Sequence, residues 1–144
     1  MIGQNQISAL LGVGIFAMVM IGILIGIAVH VFICYLLWNC YKRIPQQFRK
    51  QEPGLVWLLL IPCFSLVWNF FVYPRLSQSF KGYFDSINRT DVGDCQEGIG
   101  LAYSICCAVS LIPYAGCVTG IACLVLLIIY LVKTNELKNQ IPAV

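Results

Sequence analysis

Apolar positions run almost unbroken through three stretches of this chain, 7–41, 54–73 and 99–132, and polar positions are confined to the joints between them. A helix rises about 1.5 Å per residue and the hydrocarbon core of a bilayer is about 30 Å thick, so each stretch is long enough to enter a membrane. The pattern predicts an all-α integral membrane protein, organised as a single membrane domain over residues 1–144. The first stretch would extend to about 50 Å as a helix, which exceeds the core and predicts a long N-terminal helix that tilts or projects. The second is near the minimum for a span and carries Pro62 at its middle, so it is expected either to cross as a proline-interrupted segment or to dip in and return on the same side. In the RLSQSFKGYFDSI that follows, Leu76, Phe80, Tyr83, Phe84 and Ile87 recur at helical spacing with Arg75, Lys81 and Asp85 off that face. This predicts an amphipathic helix at 75–88 lying in an interface plane. The last stretch is too long for one comfortable span, and Pro113 and Gly116 in SLIPYAG predict a helical hairpin of arms 99–112 and 114–132. A single kinked helix is the alternative.

Composition agrees: 60% of residues are hydrophobic and 10% charged, against roughly 25% charged in an ordinary soluble domain. The mean hydropathy is +0.85. The first stretch has no Lys or Arg ahead of it, far outruns the roughly 7–15 residues of a signal-peptide core, and ends in Tyr35, Trp38, Tyr41, Lys42 and Arg43. It reads as a retained helix. A net charge of +3 comes from nine basic residues scattered beside apolar segments, which points to anionic lipid headgroups as partner and not to nucleic acid. Lys42, Arg43, Arg49, Lys50, Arg75 and Lys81 are the headgroup candidates. If four segments cross with the N-terminus outside, the basic residues divide almost evenly between the two sides. If the Pro62 segment returns on its own side, all nine become cytoplasmic.

Cysteines and acids carry little visible chemistry. Of eight cysteines only Cys95 lies in a polar loop; the rest sit in or at the ends of apolar stretches, where Cys packs as a small hydrophobe and no disulfide scaffold is expected. The adjacent Cys106 and Cys107 are read as inert packing, since an apolar setting raises a thiol pKa. Asp91, Asp94 and Glu97 fall in one short run, but their spacing does not match an EF-hand loop and a solvated turn is the expectation. Asn88-Arg89-Thr90 matches the glycosylation sequon, a triplet common by chance.

Helix packing is the clearest candidate feature. Gly22, Gly26, His30 and Cys34 recur every fourth residue on one ridge of the first helix, and Gly116 and Gly120 repeat the spacing near the C-terminus. Small residues on such a ridge let another backbone approach closely, which predicts a homo-oligomer. His30 is the only histidine and stands inside the first apolar stretch. The ordinary expectation is a neutral imidazole hydrogen-bonded within the bundle. A proton or pore site, with Asn69 as a second polar candidate, and a soft-metal site shared with Cys34 are the functional alternatives. No nucleophile has a base nearby, no carboxylate pair stands in an apolar stretch, and no phosphate or dinucleotide fingerprint occurs, so no catalytic residues, no cofactor and no enzyme activity are expected.

From RKQEPGLVWLLLIPCFSLVWNFFVYPRLSQSF to GIGLAYSICCAVSLIPYAGCVTGIACLVLLIIYLVK, roughly Arg49 to Lys133, the chain resembles a widespread group of small bacterial multi-helix membrane proteins with no established activity. The VWLLLIP block is its most specific part. The resemblance implies a compact helical fold in a bacterial inner membrane and leaves the N-terminal helix outside. Two functions are expected from these readings: a self-associating, multi-pass structural or regulatory membrane component, or an oligomeric ion channel or pore.

Overall fold

The computed structural model describes residues 3–110, 112 and 116–142, without the side chains of Pro62, Gly116 and Cys117, and among these residues every regular element is helical. The chain divides into two compact units, one ending at Ile33 and one beginning at Cys34, where the sequence pattern suggests a single domain.

The first unit is helix alone, the leading part of α1, Gln4–Arg43. No proline and no charged side chain interrupts α1 before Lys42, which with Arg43 suits the negative end of the helix dipole. Pro45 then stops it, because the residue before a proline is driven out of helical geometry. In this unit the apolar side chains are exposed on every side: Leu10, Phe16, Met18 and Leu24 are all more than half accessible, Met18 at 76%.

The second unit begins with the last turns of α1. Cys34, Leu37 and Tyr41 follow at helical spacing and are fully buried, as is Ile44. Two short 3₁₀ segments follow, Gln46–Phe48 and Pro53–Leu60. In the second, Val56 and Leu59 are the buried residues, and their spacing of three is the repeat of a 3₁₀ helix. The chain straightens at Ile61 and Pro62 opens α2, Pro62–Ser86, at the position where a missing N–H costs nothing.

α2 revises two expectations. The 54–73 stretch is not one helix, because its first half is the 3₁₀ segment and its second half belongs to α2. The separate amphipathic helix at 75–88 is the continuation of α2; of its apolar face Leu76, Phe80 and Phe84 are fully buried against protein, Tyr83 is half-buried and Ile87 exposed, as are Lys81 and Asp85. The periodicity was real, and three of the five residues on its face are covered by the fold's own core. α2 packs on α3, Glu97–Val109, and α3 on α4, Gly116–Asn139. Side-by-side packing makes the C-terminal part a hairpin and not a kinked rod, with Pro113 and Tyr114 outside the described residues. Among the described residues two helices are long and apolar enough to cross a membrane, Gln4–Arg43 and Val118–Asn139, and Glu97–Val109 is a shorter apolar helix.

Candidate functional site

The second unit is organised around buried hydroxyls at the middle of α2. Pro74 lies inside that helix and has no N–H to offer the carbonyl one turn earlier, which ordinarily costs about 3 kcal/mol. Side chains from α1, α4 and α2 itself bond to the backbone beside it. Tyr41 Oη donates to the Val72 carbonyl at 2.7 Å, Tyr130 Oη to the Tyr73 carbonyl at 2.8 Å, and Ser77 Oγ to the same carbonyl at 3.3 Å. Tyr130 and Ser77 are themselves 3.3 Å apart. The Tyr73 ring meets Tyr103 and Tyr130 edge-on, with centroids 4.8 and 5.1 Å away, an arrangement aromatic pairs favour.

Gly100 makes this clustering possible. A Cβ there would stand 3.0 Å from Tyr130 Cε2 and 3.0 Å from Tyr73 Cβ, tighter than ordinary contact, so the bare backbone lets α3 lie close on the tyrosine pair. Ser104, one turn on, is fully buried and donates to the Gly100 carbonyl at 3.0 Å. Nearby, Cys107 and Cys123 bring α3 and α4 together with Sγ atoms 3.8 Å apart. No carboxylate, lysine or imidazole takes part in these hydrogen bonds. The hydroxyls serve backbone carbonyls, so the cluster's chemistry is that of a fully engaged structural network.

The residues singled out in the sequence occupy quite different places. Among the described residues, a Cβ on Gly22, Gly26 or Gly120 would meet no atom within 4 Å beyond its own helix turn; Gly116 opens α4, and its surroundings lie outside the described residues. His30 is partly buried on α1 and is engaged in an interaction, whereas Asn69 is 7% exposed on α2. Among the described residues no three His, Cys, Asp or Glu side chains gather as a metal site. The acids of the polar loop separate into three tasks. Asp91 pairs with Arg89 at 2.9 Å, Asp94 accepts from the Gly98 amide at 3.4 Å in the first turn of α3, and Glu97 accepts from Gln78 at 2.7 Å. The Arg89 guanidinium holds the Asp91 carboxyl below the usual carboxylate range. Cys95 in the same loop is buried, and burial, with Asp85 and Asp94 adding to it, pushes its thiol up to about 11. It therefore stays protonated at neutral pH and is a poor nucleophile.

The basic residues also diverge. Lys42 lies 4.1 Å over the Trp38 ring and the Arg75 guanidinium 5.0 Å over Phe71, while Lys81 is exposed. Arg49 Nη2 donates to the Ile44 carbonyl at 2.8 Å. Arg43 and Arg49 each keep a buried Nε without a hydrogen-bond partner, and Gln51 keeps both amide atoms so. Sequence reasoning missed Gln51, a single amide among charged neighbours. It also missed Gly100, although Gly100 and Ser104 form a small-xxx-small pair that signals close helix approach.

Comparison with known protein families, with curated proteins and with solved structures finds no match to this chain.

Proposed function

We propose that this chain is an integral membrane protein that self-associates through its N-terminal helix and acts as a structural or regulatory membrane component. The observation that carries the reading is the leading part of α1, where large apolar side chains are exposed all round the helix and none of its most apolar window is buried. In water so much uncovered apolar surface is untenable, and lipid is the solvent that accepts it. The adjoining ends of α1 and α4 favour an orientation: Leu36 and Cys40 share a cleft of about 210 Å³ with Leu131, Val132 and Asn135. With these ends adjoining, Lys42 and Arg43 would share one side with Lys133 and Lys138, which supports a cytoplasmic position for both helix ends. The likeness of the region from Arg49 to Lys133 to small bacterial membrane proteins makes the inner membrane the place to look.

Self-association is assigned to the ridge of Gly22 and Gly26, which the fold leaves open for a second helix. The purified protein, sized in mild detergent and cross-linked in lipid nanodiscs, is expected to form an oligomer that Gly22→Ile with Gly26→Ile disrupts. An oligomer unchanged by the double substitution removes the ridge from the interface, and a protein extracted from membranes by alkaline carbonate ends the membrane reading itself.

A further inference from the structure

Four helices of the second unit come to one level at its tyrosines. Tyr41 Oη reaches the Val72 carbonyl, Tyr130 Oη reaches the Tyr73 carbonyl, and Gly100 lies against both Tyr73 and Tyr130. On each helix the charges begin close to that level, at Lys42 on α1, Arg75 on α2, Glu97 on α3 and Lys133 on α4. Contacts put them on the same side of it. Glu97 accepts from Gln78, which lies beyond Arg75 on α2, and Lys133 shares a cleft with Arg89 and Gln96. The loop that follows Lys42 is tied to the same end of α2 by the Lys50 amide, which donates to Ser79 Oγ at 2.9 Å. On the other side of the level there are no charges, since none occurs from Pro53 to Pro74 or from Gly98 to Val132.

Those uncharged stretches form two hairpins. In the first, Pro53–Leu60 runs away from the tyrosine level and the start of α2 returns, with Trp68 Nε1 donating to the Leu55 carbonyl at 2.9 Å across the pair. In the second, α3 runs away and α4 returns, joined on the uncharged side by the Cys107 and Cys123 Sγ atoms 3.8 Å apart. Helical rise sets how far they reach. The α2 turns from Ile61 to Tyr73 rise about 18 Å, and the 3₁₀ arm of 8 residues about 16 Å. Gly100 to Ser110 rises about 15 Å and Gly116 to Tyr130 about 21 Å. Every arm falls short of a hydrocarbon core of about 30 Å, and tilt shortens the reach further. α4 has the length of a span only when its charged turns from Lys133 onward are counted. The 3₁₀ arm also closes its hydrogen bonds locally, Leu55 N–H to the Glu52 carbonyl and Ile61 N–H to that of Leu58, as lipid requires of a backbone.

We infer that both hairpins enter the bilayer from the charged face of this unit and turn back inside the hydrocarbon, so that the unit is seated in lipid from one side. Ile61 and Val67 on the first hairpin and Ile105 and Ile121 on the second are exposed, and acyl chains are what cover them. On α1, α2 and α4 the apolar surface ends at a basic residue, Lys42, Arg75 or Lys133, which complements an anionic headgroup layer. The inference rests on the membrane reading above, yet it can fail while that reading stands, because α1 is by itself long and apolar enough to hold the chain in a membrane.

The test uses the full chain in sealed membrane vesicles of both orientations, labelled with a membrane-impermeant maleimide and mapped by peptide mass spectrometry. Lys50→Cys and Gln140→Cys, both at exposed positions on the charged side, are expected to label from one and the same face. Native Cys63, exposed beside the turn of the first hairpin, and Ile112→Cys, at an exposed position between α3 and α4, are expected to label from neither. Labelling of Ile112→Cys from the face opposite Lys50→Cys means that α3 and α4 cross completely and overturns the inference. Labelling of Cys63 or Ile112→Cys from the same face as Lys50→Cys puts that hairpin outside the lipid and overturns it as well. A second measurement needs no substitution: phosphatidylcholine with a photoreactive diazirine in its acyl chain is expected to form adducts within both 53–73 and 99–132. Adducts on α1 alone give the hairpin surfaces to a second copy of the chain and overturn the inference, while release of the protein by alkaline carbonate is the distinct result that ends the membrane reading.

Discussion

Replacing Gly100 by alanine tests the packing of the second unit at its tightest point. The added Cβ would meet Tyr130 Cε2 and Tyr73 Cβ, both at 3.0 Å, and the Tyr73 carbonyl carbon at 3.4 Å. Tyr130 Cε2 belongs to a ring that can tilt, but Tyr73 Cβ is fixed to the α2 backbone, so α3 itself has to retreat by a few tenths of an ångström. Retreat loosens the Tyr73–Tyr103 contact and the Tyr130 hydrogen bond together. Overpacking of this kind costs about 1–3 kcal/mol, against which alanine returns about 1 kcal/mol of helix propensity. The net expectation is a loss of about 0–2 kcal/mol. Gly98 in the same helix is the matched control: a Cβ there comes no nearer than 3.5 Å, to Asp94 Oδ2, which is ordinary contact, so Gly98→Ala collects the propensity gain without the clash. Unfolding of both variants by heat or denaturant in one detergent should place Gly100→Ala below Gly98→Ala by about 1–3 kcal/mol. A Gly100→Ala protein as stable as the Gly98→Ala one would refute the claim that this glycine admits the tyrosine pair.

Two further outcomes follow from the same region. Tyr130→Phe removes the donor to the Tyr73 carbonyl at 2.8 Å and should cost about 1 kcal/mol in the same unfolding assay, because Ser77 Oγ still serves that carbonyl; a neutral result would mean the hydroxyl bond contributes nothing. With Cys107 and Cys123 Sγ atoms 3.8 Å apart, a membrane-permeant oxidant such as diamide should link them within the chain, read as an intramolecular cross-link between α3 and α4 by mass spectrometry after proteolysis. Cross-linking of Cys106 to Cys123 in its place would show α3 rotated from the register described.

How far the sequence could be read depended on whether a feature involved one segment or two. The exposed apolar run of α1 was legible because its length and hydropathy are decided by composition alone, with no partner to identify. The stripe of Leu76, Phe80 and Phe84 was legible as a stripe, but periodicity says only that one face is apolar and not what covers it; the cover is protein. Pro62 was correctly a point of interruption. The 3₁₀ run from Pro53 to Leu60 was not visible, since PGLVWLLL satisfies a helical pattern equally well and only the burial of Val56 and Leu59 distinguishes them.

The glycines make the physical point most sharply. Gly22 and Gly26 drew attention because their regular spacing is a property of one helix, yet the fold brings nothing within 4 Å of them, so whatever they pack against is not in this chain's described residues. Gly100 is crowded by the Tyr73 Cβ of α2 and the Tyr130 ring of α4, 27 residues before it and 30 after it, and the small-xxx-small pair it forms with Ser104 signals a close approach without saying to what. Gln51 is the polar counterpart: its amide is buried without a partner in a loop tied to Ile44 through Arg49 and to Ser79 through Lys50, contacts that only the folded chain creates. A glycine open to the outside and an amide left unsatisfied inside are both incomplete interactions, one for an apolar partner and one for a polar one. The two fall on separate units, the glycines before Ile33 and Gln51 after Cys34.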